Sequence, residues 1–293
     1  MTDITNPIYN DPDAARAHLE ALRWADGRFC PHCGATEGTA EVKGKKRSHR
    51  DGLYYCNDCK KQFTVTVGTI FERSKVPLHK WVLAYQLMAS SKKGMSAHQL
   101  HRMLGVTYKT AWRMGQQIRQ LMAKADGFEM LRGHIELDEA YVGGKRSGGK
   151  RGRGAEGKTI VFGMKEREGR MTTEIIPNVK KVTLREATLR NVEPGSTVST
   201  DELMSYGLLD GDGYKHGSVK HGAKEWSYYD YRHDAFHHVN HVESFWKLFK
   251  ASIRSTHVHI SAKYMDRYLK EFTFRSNHRE KQNAMFDLLV GAV

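Results

Sequence analysis

The stretch His134–Gly144, HIELDEAYVGG, decides how this chain reads. An apolar–polar alternation through Ile135 and Leu137, continued at Ala140, runs into the adjacent acids Asp138 and Glu139 and stops at Gly143–Gly144. A period of two is the mark of a half-buried strand, and the glycine pair supplies the turn after it. An acid placed this way is either a solvated strand end or a metal ligand, and this stretch alone leaves both open.

Two downstream segments bear on that choice. Ser196–Leu203, STVSTDEL, is a second short β-branched run ending on an acid, Asp201, which would lie beside Asp138 if the two strands pair. In His238–Lys250, HVNHVESFWKLFK, the residues Val242, Phe245, Trp246 and Phe249 fall at the period of an amphipathic helix. Glu243 lies off that apolar stripe, and Lys250 follows it by seven residues, two helical turns, so both point the same way. Three carboxylates from two strands and a helix suit a two-metal phosphoryl-transfer site. Mg²⁺ takes oxygen ligands from few carboxylates, and two such ions roughly 3.5–4 Å apart stabilise the attacking and leaving oxygens of an in-line displacement. The same donors suit Mn²⁺.

ELDEAYVGGK around Asp138, STDE around Asp201, and HVNHVESFWKLFKASIRST followed by FTFRSNHR resemble the DDE transposases of bacterial insertion sequences. The likeness is to the group with an N-terminal zinc ribbon, labelled by insertion sequence fifteen-ninety-five, and it covers nearly the whole chain. It implies an RNase H-like catalytic domain in which Asp138, Asp201 and Glu243 hold two Mg²⁺ and Lys250 contacts phosphate near the scissile bond. It also implies binding to terminal inverted repeats, hydrolysis that frees a 3′-hydroxyl, and attack of that hydroxyl on target DNA by at least a dimer. The group's third ligand is written as Glu or Asn followed by Lys. Here Asn240 stands to Lys247 as Glu243 stands to Lys250. The carboxylate neutralises a divalent ion better and favours Glu243; Asn240 stays open. Glu139 is expected to face solvent or to stand behind the ligands.

Forty-seven Lys and Arg against thirty-three Asp and Glu give +14 in 293 residues, a balance that attracts polyanions. The chain is 39% hydrophobic and 27% charged, long enough to bury more than one core. No apolar run approaches the length of a membrane span, and MTDITNPIYNDPDAA lacks the basic start and apolar stretch of a signal peptide. The expected place is the cytoplasm, on the nucleoid, with double-stranded DNA as partner and no membrane.

A short helix over residues 14–26 leads into Cys30-Pro-His-Cys33 and, after 22 intervening residues, Cys56-Asn-Asp-Cys59, the only four cysteines. Paired CxxC knuckles at this separation place four thiolates around a structural Zn²⁺. Between them Lys43, Lys45, Lys46, Arg47 and Arg50 crowd the ribbon hairpin, with Tyr54 and Tyr55 after it, a set suited to DNA backbone contact. Helical spacing follows around Trp81–Met88. Ser96-Ala-His-Gln99 reads as a capping box opening a helix that Gly105 ends, and Thr107 caps the next. This is the layout of a helix-turn-helix that would turn Tyr108, Lys109, Arg113 and Gln117 toward DNA, or of an ordinary helical hairpin.

Lys145–Lys158, KRSGGKRGRGAEGK, cannot pack a core and is expected as a mobile loop, either one in which Lys150, Arg151 and Arg153 clamp phosphate or a solvated hairpin tip. Thr159–Lys165 and Arg170–Pro177 read as a strand hairpin and Leu184–Val192 as a helix. Six histidines between His216 and His241 lack a compact ligand pattern and read mostly as surface or DNA-facing, and Ala262–Arg275 as a helix packed on the catalytic sheet. The expected fold is α/β multidomain: a zinc ribbon with its leading helix over 1–66, a helix-turn-helix region over 67–130, and an RNase H-like mixed sheet over 131–293. Rival functions are a sequence-specific DNA-binding protein without catalysis and a metal-dependent nuclease.

Overall fold

Asp11 and Pro12 start the first helix, α1 (Pro12–Arg23). The Asp11 carboxylate accepts from the backbone N–H of Asp13 and Ala14, and Pro12 sits where a missing N–H costs nothing. The computed structural model describes residues 3–43, 49–143 and 158–292. After α1 come the three short antiparallel strands of the ribbon, β1 (Thr39–Glu41), β2 (Tyr54–Cys56) and β3 (Gln62–Phe63), in that order across the sheet. Three helices follow: α2 (Leu78–Ser90), α3 (Ala97–Leu104) and α4 (Tyr108–Asp126). The Ser96–Gln99 capping box opens α3, and Gly105, at φ 59°, ends it. The Thr107 hydroxyl accepts from the N–H of Thr110 at 3.2 Å, so the helix pair expected of a helix-turn-helix is present.

The chain divides into two compact units. The first comprises Met1–Ser91, Met95–Ala125 and Glu280–Val293, and the second Lys92–Gly94 and Asp126–Arg279. The ribbon and the helices α2 to α4 thus fall in one unit, although the sequence separates them by composition.

The second unit is built on a five-stranded mixed sheet. Its strands are β4 (His134–Val142), β5 (Thr159–Glu166), β6 (Met171–Ile176), β7 (Thr197–Thr200) and β8 (Lys215–Ser218), with helix α5 (Lys181–Asn191) between β6 and β7. The order is β6-β5-β4-β7-β8; β4, β5 and β6 run antiparallel, while β7 lies parallel to β4 and to β8. A hairpin, β9 (Tyr228–Asp230) and β10 (Ala235–His237), leads into α6 (Asn240–Ser252) and α7 (Met265–Asn277). On one face Ile135, Leu137, Phe162 and Val198 pack with Leu184 and Ala187 of α5. On the other, Ala140, Val142, Val161 and Met171 pack with Trp246 and Phe249 of α6 and Leu269 and Phe272 of α7. This is the expected RNase H-like sheet.

Helices on both faces change the reading of β4. Ala140 belongs to the opposite face from Ile135 and Leu137, because a central strand covered on both sides is apolar on both. Strands β8, β9 and β10 were not legible in the sequence; Lys215-His-Gly-Ser218 carries no apolar alternation to announce an edge strand. The last helix, α8 (Gln282–Gly291), belongs to the first unit and not to the sheet. Among the described residues no helix is long and apolar enough to cross a membrane.

Candidate active site and zinc ribbon

Asp138 is carried by the central strand. The parallel register pairs His134 with Thr197, Ile135 with Val198 and Glu136 with Ser199, and Asp138 and Asp201 each follow the last of these pairs by two residues. Asp201 lies just past β7, where its carboxylate accepts from the N–H of Leu203 at 3.0 Å and bends the chain away from the sheet. Burial pushes the Asp138 carboxyl up to about 8, and the negative charges of Glu139, Asp201 and Glu243 push the same way, against Lys250. Glu243 and Lys250 both lie on the exposed side of α6, while Val242, Phe245, Trp246 and Phe249 are buried as the periodicity predicts. The His221 ring nitrogen Nδ1 lies 3.8 Å from the Glu243 carboxylate. Asn240 is exposed at the first position of α6. A half-buried carboxyl crowded by like charges is a poor anion on its own and a good divalent-cation ligand, so the donor chemistry fits Mg²⁺ or Mn²⁺.

Glu139 does not face solvent. It points to the α5 side of the sheet, is 8% exposed, and accepts a hydrogen bond from the buried Tyr206 hydroxyl at 3.0 Å.

Glu136, on the same face of β4 as Asp138, is fully buried. One of its oxygens accepts the backbone N–H groups of His241 (2.8 Å) and Val242 (3.1 Å), in the first turn of α6. The other faces Arg167 Nε at 3.3 Å, His238 Nδ1 at 3.0 Å and His241 Nδ1 at 2.7 Å. Among the described residues, two groups of metal-ligating side chains converge within 4.8 Å, the four cysteines and this Glu136–His238–His241 trio. In the second group the carboxylate already takes two helix N–H groups and a guanidinium, and it stands at the positive end of a helix. A dication there would meet like charge.

Of the six histidines in this stretch one is buried, four are half-buried and His241 is exposed. His237 is fully buried with its Nδ1 2.8 Å from Ser199 Oγ, whose hydroxyl also meets His134 Nε2 at 2.7 Å. His216 Nε2 lies 2.9 Å from Thr200 Oγ1. His216, His237, His238 and His241 thus meet polar groups of the five-stranded sheet, while His221 and His233 meet Glu243 and Asp230 instead.

Cys30, Cys33, Cys56 and Cys59 bring their sulfurs together, with Cys30–Cys59 and Cys33–Cys56 each at 3.7 Å. A tetrahedral Zn²⁺ with metal–sulfur bonds of about 2.3 Å has edges of about 3.8 Å, so this set fits structural Zn²⁺. Each knuckle turns on a left-handed residue after its second cysteine, Gly34 at φ 80° and Lys60 at φ 58°. Backbone N–H groups of Asp58 and Cys59 point at the Cys56 sulfur. Tyr54 is not presented to DNA; it is buried, stacked on Phe63 at 5.7 Å and met edge-on by Trp24 at 5.2 Å.

The model of the ISXO2-like transposase domain matches residues 130–277, and that of the transposase zinc-ribbon domain matches residues 10–62. The chain belongs to the ISXO2-like transposase family. A protein of transposable element ISH50 from Halobacterium salinarum is 32% identical over 276 residues, 88% of each chain. A transposase-like protein of Haemophilus influenzae is 29% identical over 37% of this chain and 81% of its own. Crystal structures of the Mos1 transposase, in a pre-cleavage transpososome and in a paired-end complex, overlap 70% of this chain and 77% of theirs. Their identities are 10% and 11% and their TM-scores 0.28 and 0.27, too low to carry an argument.

In this ISXO2-like transposase Tyr108, Lys109 and Arg113 are exposed at the start of α4, with the Tyr108 ring 4.5 Å from that of His98 on α3. Gln117 is half-buried, 3.4 Å from the Ile70 carbonyl, and so is turned inward. Lys45, Lys46, Arg47, Lys150, Arg151 and Arg153 lie outside the described residues. Sequence reasoning passed over Glu136, although it stands two residues before Asp138 in the quoted motif. Its placement on Asp138's face was the one available signal.

Proposed function

We propose that this transposase binds the terminal inverted repeats of its element as at least a dimer, cuts at the element's end and joins the freed 3′-hydroxyl to target DNA. The observation that supports the reading is the Asp138 carboxyl on the central strand, pushed up by burial and by the negative charges of Glu139, Asp201 and Glu243, with Lys250 as the countercharge. Asp138, Asp201 and Glu243 are the residues that would hold two Mg²⁺, or Mn²⁺. When bound, these ions supply charge stabilisation of the attacking and leaving oxygens.

In the first step a water oxygen attacks the phosphorus at the element's end and loses its proton to solvent. The bond from phosphorus to the 3′-oxygen breaks, and that oxygen takes a proton. In the second, the 3′-hydroxyl oxygen bonds to the phosphorus of a target phosphodiester and loses its proton to solvent, while the bond from that phosphorus to the target's own 3′-oxygen breaks and that oxygen takes a proton. Lys250 neutralises the phosphate under attack, and the exposed start of α4 holds the DNA. Glu243 is favoured over Asn240 because a carboxylate neutralises a divalent ion better than an amide does.

The test is incubation with Mg²⁺ and labelled DNA bearing the element's ends, beside Asp201→Asn. Joined strands that vanish with Asp201→Asn support the reading. Cut strands that are never joined would make the protein a nuclease, and binding with neither product would make it a DNA-binding protein.

A further inference from the structure

We propose that Glu136 is the positioning residue of the active site, the group that fixes where Glu243 stands relative to Asp138. The inference rests on the two-metal reading above and deepens it.

An α-helix begins with N–H groups that lack intrahelical partners, and a side chain at the N-cap normally takes one or two of them. In α6 the N-cap residue is Val239, which has no side-chain oxygen to offer. The cap comes instead from the sheet, where Glu136 takes the N–H groups of His241 and Val242 across 105 and 106 residues of chain. Arg167, in the turn between β5 and β6, holds the carboxylate from its other side. The same guanidinium donates to the Phe236 and His238 carbonyls just before α6. The start of the helix is therefore tied to β4 by one buried anion and to the β5–β6 turn by one cation.

The consequence lies in spacing. Glu136 and Asp138 share a face of β4, about 6.6 Å apart along the strand. Glu243 directly follows the capped N–H groups, and side chains on a helix lean toward its N-terminus. One link thus sets both the start of the ligand-bearing helix and its distance from the strand that carries Asp138. A carboxylate capping a helix also favours that end electrostatically, which explains why an anion is tolerated at a fully buried position.

The test is Mn²⁺ titration of the full chain, read by the electron paramagnetic resonance signal of free Mn²⁺, for the parent protein, Glu243→Gln, Glu136→Gln and the double variant. We expect Glu243→Gln to weaken Mn²⁺ binding at least tenfold, and Glu136→Gln to weaken it about three- to tenfold. The double variant should bind no more weakly than Glu243→Gln alone, because Glu136 acts through Glu243. Additive losses in the double variant, or parent-like binding by Glu136→Gln, would overturn the proposal.

Glu136→Asp guards against a folding failure. It keeps the charge that Arg167 needs but withdraws the carboxylate by one methylene, and is expected to weaken Mn²⁺ binding in a protein whose thermal melt stays cooperative. Parent-like binding by Glu136→Asp would overturn the proposal as well. One Mn²⁺ equivalent lost in both Glu136→Gln and His238→Ala would make the buried trio a ligand set and overturn the positioning role. If Glu243→Gln leaves Mn²⁺ binding unchanged, the two-metal reading itself fails, separately from this one.

Discussion

Asp138 stands directly across the β4–β5 ladder from Gly163, and the space a side chain would fill at Gly163 is taken by Trp246. A Cβ there would come within 2.5 Å of the indole carbon Cζ2. The glycine lets α6 lie close on the sheet beside the acid it faces. Gly163→Ala should therefore push α6 outward, lower stability by about 1–3 kcal/mol as overpacked cores do, and reduce DNA joining. Thermal denaturation checks the first effect, and an unchanged melting temperature would refute the close packing.

Replacing Asp138 with Asn should abolish cutting yet stabilise the metal-free protein. Its carboxyl titrates near 8 when folded, far above the ordinary value, so the folded chain retains a proton that the unfolded chain releases. Stability contributed this way is complete below pH 4 and is lost as pH rises toward 8, by about 1.4 kcal/mol for each pH unit at most. The gain from Asp138→Asn should be larger at pH 8 than at pH 5 in denaturant melts with chelator present. An equal gain at both pH values would contradict the origin given.

Acid should loosen the second unit through two other groups. Burial pushes His134 down to about 3 and His237 to about 4, with Arg167 adding to both. Both are neutral when folded, so their contribution is present above the ordinary histidine value and lost as pH falls from about 6.5 toward 4. His237→Gln should flatten that slope in unfolding curves measured between pH 7 and 4.5.

The ribbon should depend on its metal. Its buried set is small, Cys30, Tyr54, Cys56 and Phe63, and cannot stabilise three strands of two or three residues alone. One Zn²⁺ per chain is expected by native mass spectrometry. Cys56→Ser or a strong chelator should expose the stretch from Trp24 to Phe63 to protease; protection surviving metal loss would argue against a structural role.

Lys109 and Arg113 should matter for DNA affinity rather than for the metal site. Each change to Ala is expected to weaken binding to the element's ends and to reduce the slope of affinity against salt by about 1 if the residue meets phosphate. An unchanged slope would place the DNA elsewhere.

Local patterns in the sequence carried a large part of this molecule. The CxxC pair located the zinc ribbon, the capping box and Gly105 bounded α3, and the apolar stripe of α6 turned Glu243 and Lys250 outward. These readings worked because caps, knuckles and periodicity involve residues a few positions apart, and their geometry is nearly independent of the rest of the chain. Tertiary structure decided what depends on distant partners. It turned Glu139 to Tyr206, buried His237 against Ser199 of the sheet, and joined Glu136 to a helix 105 residues away. A buried charge in a strand looks like any polar residue until its donors arrive, and those are brought by packing that no local period records.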